Sequence, residues 1–228
     1  MVKKVAVVFG STGGIGRKVV AQFRDEGYRL GLFSTSETPH QDAYTTAWKG
    51  DASRIENVET FLRNVENKFH TLDVVVFSVG SLTENLQDSY TANVVTLANV
   101  LEVLGDHFPD TSVFVISSLR SLHPGKNTAY CSSKAAVEMV VKCAREQFPQ
   151  LRITVIRPGF VNTPLYGDQS RVPYKDGEPY PVVEPQDIAK IISFITQLQE
   201  ASSGALVEDI SVGEVLGERK DLTWRSRM

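Results

Sequence analysis

The segment Val5-Ala6-Val7-Val8-Phe9-Gly10-Ser11-Thr12-Gly13-Gly14-Ile15-Gly16 decides the fold. Its first five residues are apolar and mostly β-branched, which reads as a short buried strand. A helical-period run then extends from Gly14 to about Glu26. Glycines between strand and helix let the backbone turn sharply and approach a ligand without Cβ clashes. The free N–H groups at the helix start then face a pyrophosphate or similar anion. The bland alternative is a tight strand–helix turn that binds nothing. The glycine spacing, Gly-x-x-x-Gly-x-Gly, departs from the commoner Gly-x-Gly-x-x-Gly. The strand before it and the helix after it nonetheless supply the context that a nucleotide turn needs.

Outward from this turn, apolar β-branched runs alternate with helical-period segments. Strands are expected at Val5–Phe9, Arg29–Ser34, Tyr44–Lys49, Val74–Ser78, Ser112–Ser117, Arg152–Arg157 and Ala205–Ile210. Helices are expected at Gly14–Glu26, Arg54–Phe69, Ser89–His107, Asn127–Phe148 and Glu184–Leu198. Ile55, Val58, Phe61, Leu62 and Val65 form an apolar stripe on the second helix. Strand alternating with helix predicts an α/β fold, a doubly wound parallel sheet of about seven strands with helices on both faces. The whole chain, 1–228, reads as one domain. Between Ser34 and Asp51, interrupted by Pro39, a full crossover helix barely fits, so an irregular connection is expected there. The stretch 162–183, rich in Pro, Tyr, Gly and charge, reads as a substrate-binding loop or lid.

Composition excludes several classes. Lys plus Arg number 24 against 27 Asp plus Glu, a formal charge of −3, so neither nucleic acid nor a membrane surface is expected as a partner. The opening run is too short for a signal peptide, and no stretch is long enough to span a bilayer. Cys131 and Cys143 would lie roughly 18 Å apart along one helix, too far for a disulfide. Free thiols point to a reducing compartment, and the expected location is cytoplasmic. His40, His70 and His107 show no metal-ligand spacing, so no metal is expected. Trp48 and Trp224 read as packing residues, and His123 and Arg120 as loop residues beside a possible pocket.

The run Ala129-Tyr130-Cys131-Ser132-Ser133-Lys134-Ala135-Ala136 carries the chemistry. On a helix, a spacing of four places Tyr130 and Lys134 on one face, one turn apart. An ammonium beside a phenol favours the phenolate, and a tyrosine that can exchange its proton near neutral pH suits carbonyl–alcohol chemistry. Alone the pair is weak, because Tyr and Lys often share a solvated helix face. Its weight comes from the upstream glycine turn and from Ser117-Ser118 at a strand end.

Together these motifs resemble the short-chain dehydrogenase/reductase family over nearly the whole chain. The family's glycine motif matches Gly10, Gly14 and Gly16, with Ser11 and Ile15 inside it. Asp51, followed by Ala52, matches the family's adenine-contacting Asp. The Asn-Asn-Ala-Gly element appears as Phe77-Ser78-Val79-Gly80, with Gly80 kept and both asparagines lost. Asn93 matches the catalytic-relay Asn, Ser118 the catalytic Ser with Ser117 as alternative, and Tyr130 and Lys134 the catalytic pair. Arg157-Pro158-Gly159-Phe160-Val161-Asn162-Thr163-Pro164 resembles the segment that holds the nicotinamide through Pro158, Gly159, Val161 and Thr163.

The resemblance implies a Rossmann-like domain and roles for these residues. Tyr130 exchanges the proton with the substrate oxygen. Lys134 lowers the Tyr pKa and bonds the nicotinamide ribose. Ser118 steadies the oxygen's developing charge, and Asn93 holds a relay water. The cofactor is NADP(H) or NAD(H). Position 34, where NAD enzymes place an acid, is Ser34, so NADP(H) is favoured; Gly13 and Thr35 offer no basic partner and Arg17 is the nearest. Glu37 is the alternative ribose ligand. The substrate is a small carbonyl compound or alcohol, and Tyr166, Tyr174 and Tyr180 hint at an aromatic-lined pocket. The apolar faces of 94–104 and 135–144 favour a homo-oligomer, a dimer or tetramer. Two other functions stay open: a non-catalytic dinucleotide sensor or scaffold, and an isomerase or lyase using the same Tyr and Lys.

Overall fold

A computed structural model describes residues 3–36, 41–166, 171–175, 178–179, 181–202, 206–213 and 223–226. The strand Val5–Phe9 (β1) is followed by the helix Gly14–Asp25 (α1) and the strands Arg29–Ser34 (β2) and Thr45–Lys49 (β3). The helix Ile55–Phe69 (α2) leads to Val74–Phe77 (β4). Helices Leu86–Tyr90 (α3) and Thr96–His107 (α4) flank a π-helical turn at Thr91–Val95. Ser112–Ile116 (β5), Thr128–Gln147 (α5) and Arg152–Pro158 (β6) follow. Arg171–Lys175 (β7), Glu178–Pro179 (β8), Pro185–Ala201 (α6), Asp209–Val212 (β9) and Thr223–Ser226 (β10) complete the chain.

Seven strands form one sheet in the order β3-β2-β1-β4-β5-β6-β9, every pair parallel. The strand order reverses between β1 and β4, and in such sheets ligands bind beyond the carboxyl ends at that crevice. Both faces of the sheet are covered, which explains why the strands are continuously apolar. In β1, Val5, Val7 and Phe9 pack with α2, α4 and α5 residues such as Phe61, Leu97 and Val141. Ala6 and Val8 face the other way, against Val19, Phe23, Ile188 and Ile192 of α1 and α6. The period-2 alternation of a strand therefore feeds two cores from one sequence run.

The expected α/β architecture is observed, with local differences. Among the described residues between β2 and β3 there is no helix, as the short connection required. The long helix expected at Ser89–His107 begins earlier, at Leu86, where Asn85 caps it by accepting the Asp88 N–H at 2.9 Å, and it widens into the π turn. The last sheet strand was expected at Ala205–Ile210 and instead spans Asp209–Val212. Among the described residues it pairs only with β6, and its register puts Ile210 beside Ile156 and Val212 beside Pro158. Part of the expected lid forms a separate antiparallel sheet, in which β7 pairs with both β8 and β10. Among the described residues, no helix is long and apolar enough to cross a membrane.

Candidate active site

The glycine turn leaves β1 with Gly10 at φ +78°, a conformation that glycine adopts without a Cβ penalty. The amides of Gly10 and Ser11 donate to the Phe33 carbonyl at 2.9 and 3.2 Å, which ties the turn to β2. A Cβ on Gly16 would sit 2.1 Å from the Gly10 carbonyl oxygen, so α1 can pack this closely on the turn only with glycine there. Gly13 is the N-cap of α1, and no side chain caps the first turn. The N–H groups of that turn are thus available to an anion, as the sequence predicts.

Across the turn, Thr163 presses so closely that a Cβ on Gly14 would lie 2.6 Å from its side chain. Below, the Ser78 hydroxyl donates to the Phe9 carbonyl at 2.9 Å and lies 3.3 Å from that of Gly10. One hydroxyl therefore braces β1 to β4 in the segment that lacks the family's two asparagines. An open cleft runs along this rim, lined by Thr12, Gly14, Ile15 and Arg17 at one end. Ser117, Ser118, Tyr130 and Lys134 line the other end. Gly80, Pro158, Gly159, Val161 and Thr163 line the cleft as well.

Tyr130 enters the first turn of α5 because Asn127 caps that helix, accepting the Tyr130 N–H at 2.9 Å. Lys134 follows one turn later. Its ammonium lies 5.9 Å from the Tyr130 ring centroid and donates to the Ile116 carbonyl at 3.1 Å. Burial pushes the Lys134 pKa down to about 8, and nearby Glu138 partly opposes that shift. Ser118 has extended backbone and starts a short 3₁₀ turn at Leu119–Ser121, its Oγ accepting the Arg120 N–H at 3.1 Å. Ser117, by contrast, donates to Glu138 Oε1 at 2.9 Å. Ser118, the serine the resemblance favours, and Ser117, its alternative, are thus in different states: the Ser117 hydroxyl is committed to a buried carboxylate, and that of Ser118 caps a turn at the cleft wall.

Asn93 is wholly buried behind these groups and does not border the cleft. Its Oδ1 accepts the Ser81 N–H at 2.8 Å, and its Nδ2 donates to the Ser133 hydroxyl at 2.9 Å and the Ser81 carbonyl at 3.1 Å. The space just above the Gly80 Cα lies 3.5 Å from Lys134 Nζ and 3.8 Å from Asn93 Oδ1, so both groups converge on Gly80.

Six residues expected to contact a cofactor do not line this cleft: Gly10, Ser11, Gly16, Ser34, Asp51 and Ala52. Gly10, Ser11 and Gly16 build the turn from behind. Ser34 is buried, 2.6 Å from Thr12 Oγ1 and 3.0 Å from Ser36 Oγ, in a cluster of three hydroxyls. Arg17 Nε donates to the carbonyl of Thr12, whose hydroxyl belongs to that cluster, at 2.6 Å. Asp51 is exposed and closes its own loop, accepting the Ser53 N–H at 2.9 Å. Asn99 of α4 holds that loop by donating to the Ala52 and Ser53 carbonyls at 3.0 and 2.9 Å. Thr12, Asn99, Asn127 and Glu138 were not singled out from the sequence. An Asn three residues before a helical Tyr was the one legible signal, as an N-cap.

His123 is exposed, and neither it nor Arg120 lines the cleft. Glu37 and Tyr180 lie outside the described residues, and Tyr166 and Tyr174 are described only in their backbone.

Residues 4–172 match the family model for short chain dehydrogenases. The chain belongs to the short-chain dehydrogenase family. Among its relatives, an uncharacterised oxidoreductase of Staphylococcus saprophyticus is 26% identical over 85% of this chain and 91% of its own. The 3-oxoacyl-[acyl-carrier-protein] reductase of Haemophilus influenzae is also 26% identical, over 84% of this chain and 90% of its own. Two solved structures share the fold. An alcohol dehydrogenase of the archaeon Thermococcus sibiricus, complexed with 5-hydroxy-NADP, superposes with a TM-score of 0.75 at 23% identity, covering 93% of this chain and 97% of its own. ElxO with NADP bound superposes with a TM-score of 0.77 at 20% identity, covering 92% and 97%.

Proposed function

We propose that this short-chain dehydrogenase transfers a hydride between NADP(H) and a ketone, aldehyde or secondary alcohol. The observation that carries the reading is the convergence of Ser118, Tyr130 and Lys134 on the wall of a cleft whose other end is an uncapped, glycine-built helix start. That cleft suits a dinucleotide: the N–H groups of α1 would receive its pyrophosphate, and Gly80, Pro158, Gly159, Val161 and Thr163 would flank its nicotinamide half. The bound cofactor supplies or accepts the hydride.

The chain's own residues do the rest. Ser118 gives its hydroxyl hydrogen to the substrate oxygen, since its Oγ already accepts from Arg120 and Ser117 is committed to Glu138. Tyr130 then passes its proton to that oxygen as negative charge builds, or takes it back in the reverse direction. Lys134, held by the Ile116 carbonyl, supplies the positive charge that favours the phenolate and reaches toward the ribose. Asn93 acts from behind, and its convergence with Lys134 on Gly80 supports a proton relay there.

Thr12, Ser34, Ser36 and Arg17 favour NADP(H), because three hydroxyls and a guanidinium suit a 2′-phosphate and Ser34 is no carboxylate to repel it. The relatives are named as an acyl-carrier-protein reductase and an alcohol dehydrogenase, which supports a carbonyl–alcohol couple and leaves the substrate's skeleton open. The apolar faces of α4 and α5, with Leu101, Met139 and Val140 bordering one shallow depression, favour pairing of subunits through these helices.

Two measurements test the reading. Fluorescence titration should find NADPH bound more tightly than NADH. Tyr130→Phe should leave that binding intact while turnover on a carbonyl panel falls by about three orders of magnitude or more. Unchanged turnover in the variant would remove Tyr130 as the acid. Tight NADPH binding without any turnover by the parent protein would favour a sensor.

A further inference from the structure

Behind the cleft wall lies a buried polar network that the proposed chemistry does not use. Glu138 sits on α5, one turn beyond Lys134, and is only 7% exposed. Its Oε1 accepts from Ser117 Oγ at 2.9 Å, from Arg157 Nε at 2.7 Å and from Ser121 Oγ through a short contact. Its Oε2 accepts from Arg157 Nη2 at 2.8 Å. Arg157, 8% exposed at the end of β6, also reaches Asp209 of β9 at 3.3 Å. One carboxylate therefore joins the end of β5, the 3₁₀ turn, α5 and β6.

Charged residues are rarely this buried, and a buried ion pair seldom adds stability beyond what apolar packing would supply. The placement of the network is more telling. Ser117 and Ser121, the residues that Glu138 grips, bracket Ser118. Ser121 Oγ also lies 2.7 Å from the Ser118 carbonyl oxygen. The Ser118 backbone is thus anchored on both sides to one point, and that point is in turn fixed by a bidentate guanidinium.

We propose that Glu138 is a positioning residue, which with Arg157 clamps Ser117 and Ser121 so that the Ser118 hydroxyl is held at the substrate oxygen. This rests on Ser118 having the role given above. Reactions that depend on aligned groups lose about a hundredfold when a group is misplaced by roughly 1 Å. A loosened clamp should therefore lower kcat far more than it weakens cofactor binding.

The test uses the full chain and phenanthrenequinone as carbonyl probe, with NADPH binding followed by fluorescence. Glu138→Gln and Ser121→Ala should lower kcat about 10- to 100-fold while the NADPH dissociation constant stays within about twofold. Hydrogen exchange should quicken at the backbone amides of 118–123. The double variant Glu138→Met, Arg157→Leu separates positioning from simple support, because an apolar pair can restore thermal stability but offers nothing to grip the serines. It should melt near the parent temperature and remain impaired in kcat. Recovery of kcat along with melting temperature, or full kcat in Ser121→Ala and Glu138→Gln, would overturn the proposal. If Glu138→Gln fails to fold, Ser121→Ala and the apolar pair still decide it. Ser118→Ala is the control: full turnover in that variant, or none in the parent protein, would overturn the underlying reading of the site instead.

Discussion

Lys134 shows how a single residue can be held against its own preference. Its side chain is buried, so its ammonium is held without the solvation it would have in water, and burial drags its pKa to about 8 despite the opposing charge of Glu138. A basic group with a lowered folded-state pKa destabilises the fold wherever the unfolded chain would be protonated and the folded one resists it. The cost is complete below about pH 8 and disappears as pH rises through the ordinary lysine value of 10.5. Lys134→Met should therefore be more stable than the parent at pH 7, by at most about 3 kcal/mol, and melt higher there, with the advantage gone above about pH 10.5. Its turnover should collapse. Thermal melts across pH check this, and a variant that melts lower at pH 7 would contradict it. At this scale the sequence was legible where spacing alone carries the meaning, as for Tyr130 and Lys134 on one helix face. Glu138 and Arg157 were illegible, because they are brought together by the packing of α5 on β6 and share no local pattern.

Elements were legible where burial is strong and less so at their ends. β1, β2, β5, α1 and α2 lie where apolar periodicity places them, since a buried face permits few registers. The π turn at Thr91–Val95 has no comparable signature, although it brings Asn93 inward to Ser81 and Ser133. The edge strand β9 lies at Asp209–Val212, where, among the described residues, β6 alone pairs with it and its ends are weakly specified. Contacts between elements have consequences of their own. Asn99, half-buried on α4, is what holds the Asp51–Ala52 loop against the body of the molecule. Asn99→Ala should raise the NADPH dissociation constant about 5- to 10-fold, the worth of roughly one to two net hydrogen bonds, with kcat at saturating cofactor unchanged. Fluorescence titration and saturation kinetics check both halves.

The whole molecule follows from one alternation of strand and helix, and the sheet order with its reversal between β1 and β4 is the arrangement that such a pattern allows. The small antiparallel sheet of β7, β8 and β10 was not foreseen, since it joins segments about fifty residues apart that carry no shared periodicity. It ties the loop after β6 to the far end of the chain. Deleting residues 223–228 should leave the seven-stranded body intact, with melting shifted by no more than about 3 °C. The deletion should raise the KM for the carbonyl while NADPH affinity holds. Melting and steady-state kinetics check this, and a lost cofactor affinity would mean that β10 supports the main sheet.

The parallel sheet also gives the protein two unlike poles. At one, the carboxyl ends of the strands bring together the residues of the proposed site. At the other, Asp73 takes the Val5 N–H at 2.8 Å and Thr111 reaches the Leu72 carbonyl at 3.2 Å, contacts that only seal the ends of strands. A tether, label or stabilising graft attached at that quiet pole would touch the foundation and not the workbench, so durability and catalysis can be engineered there independently.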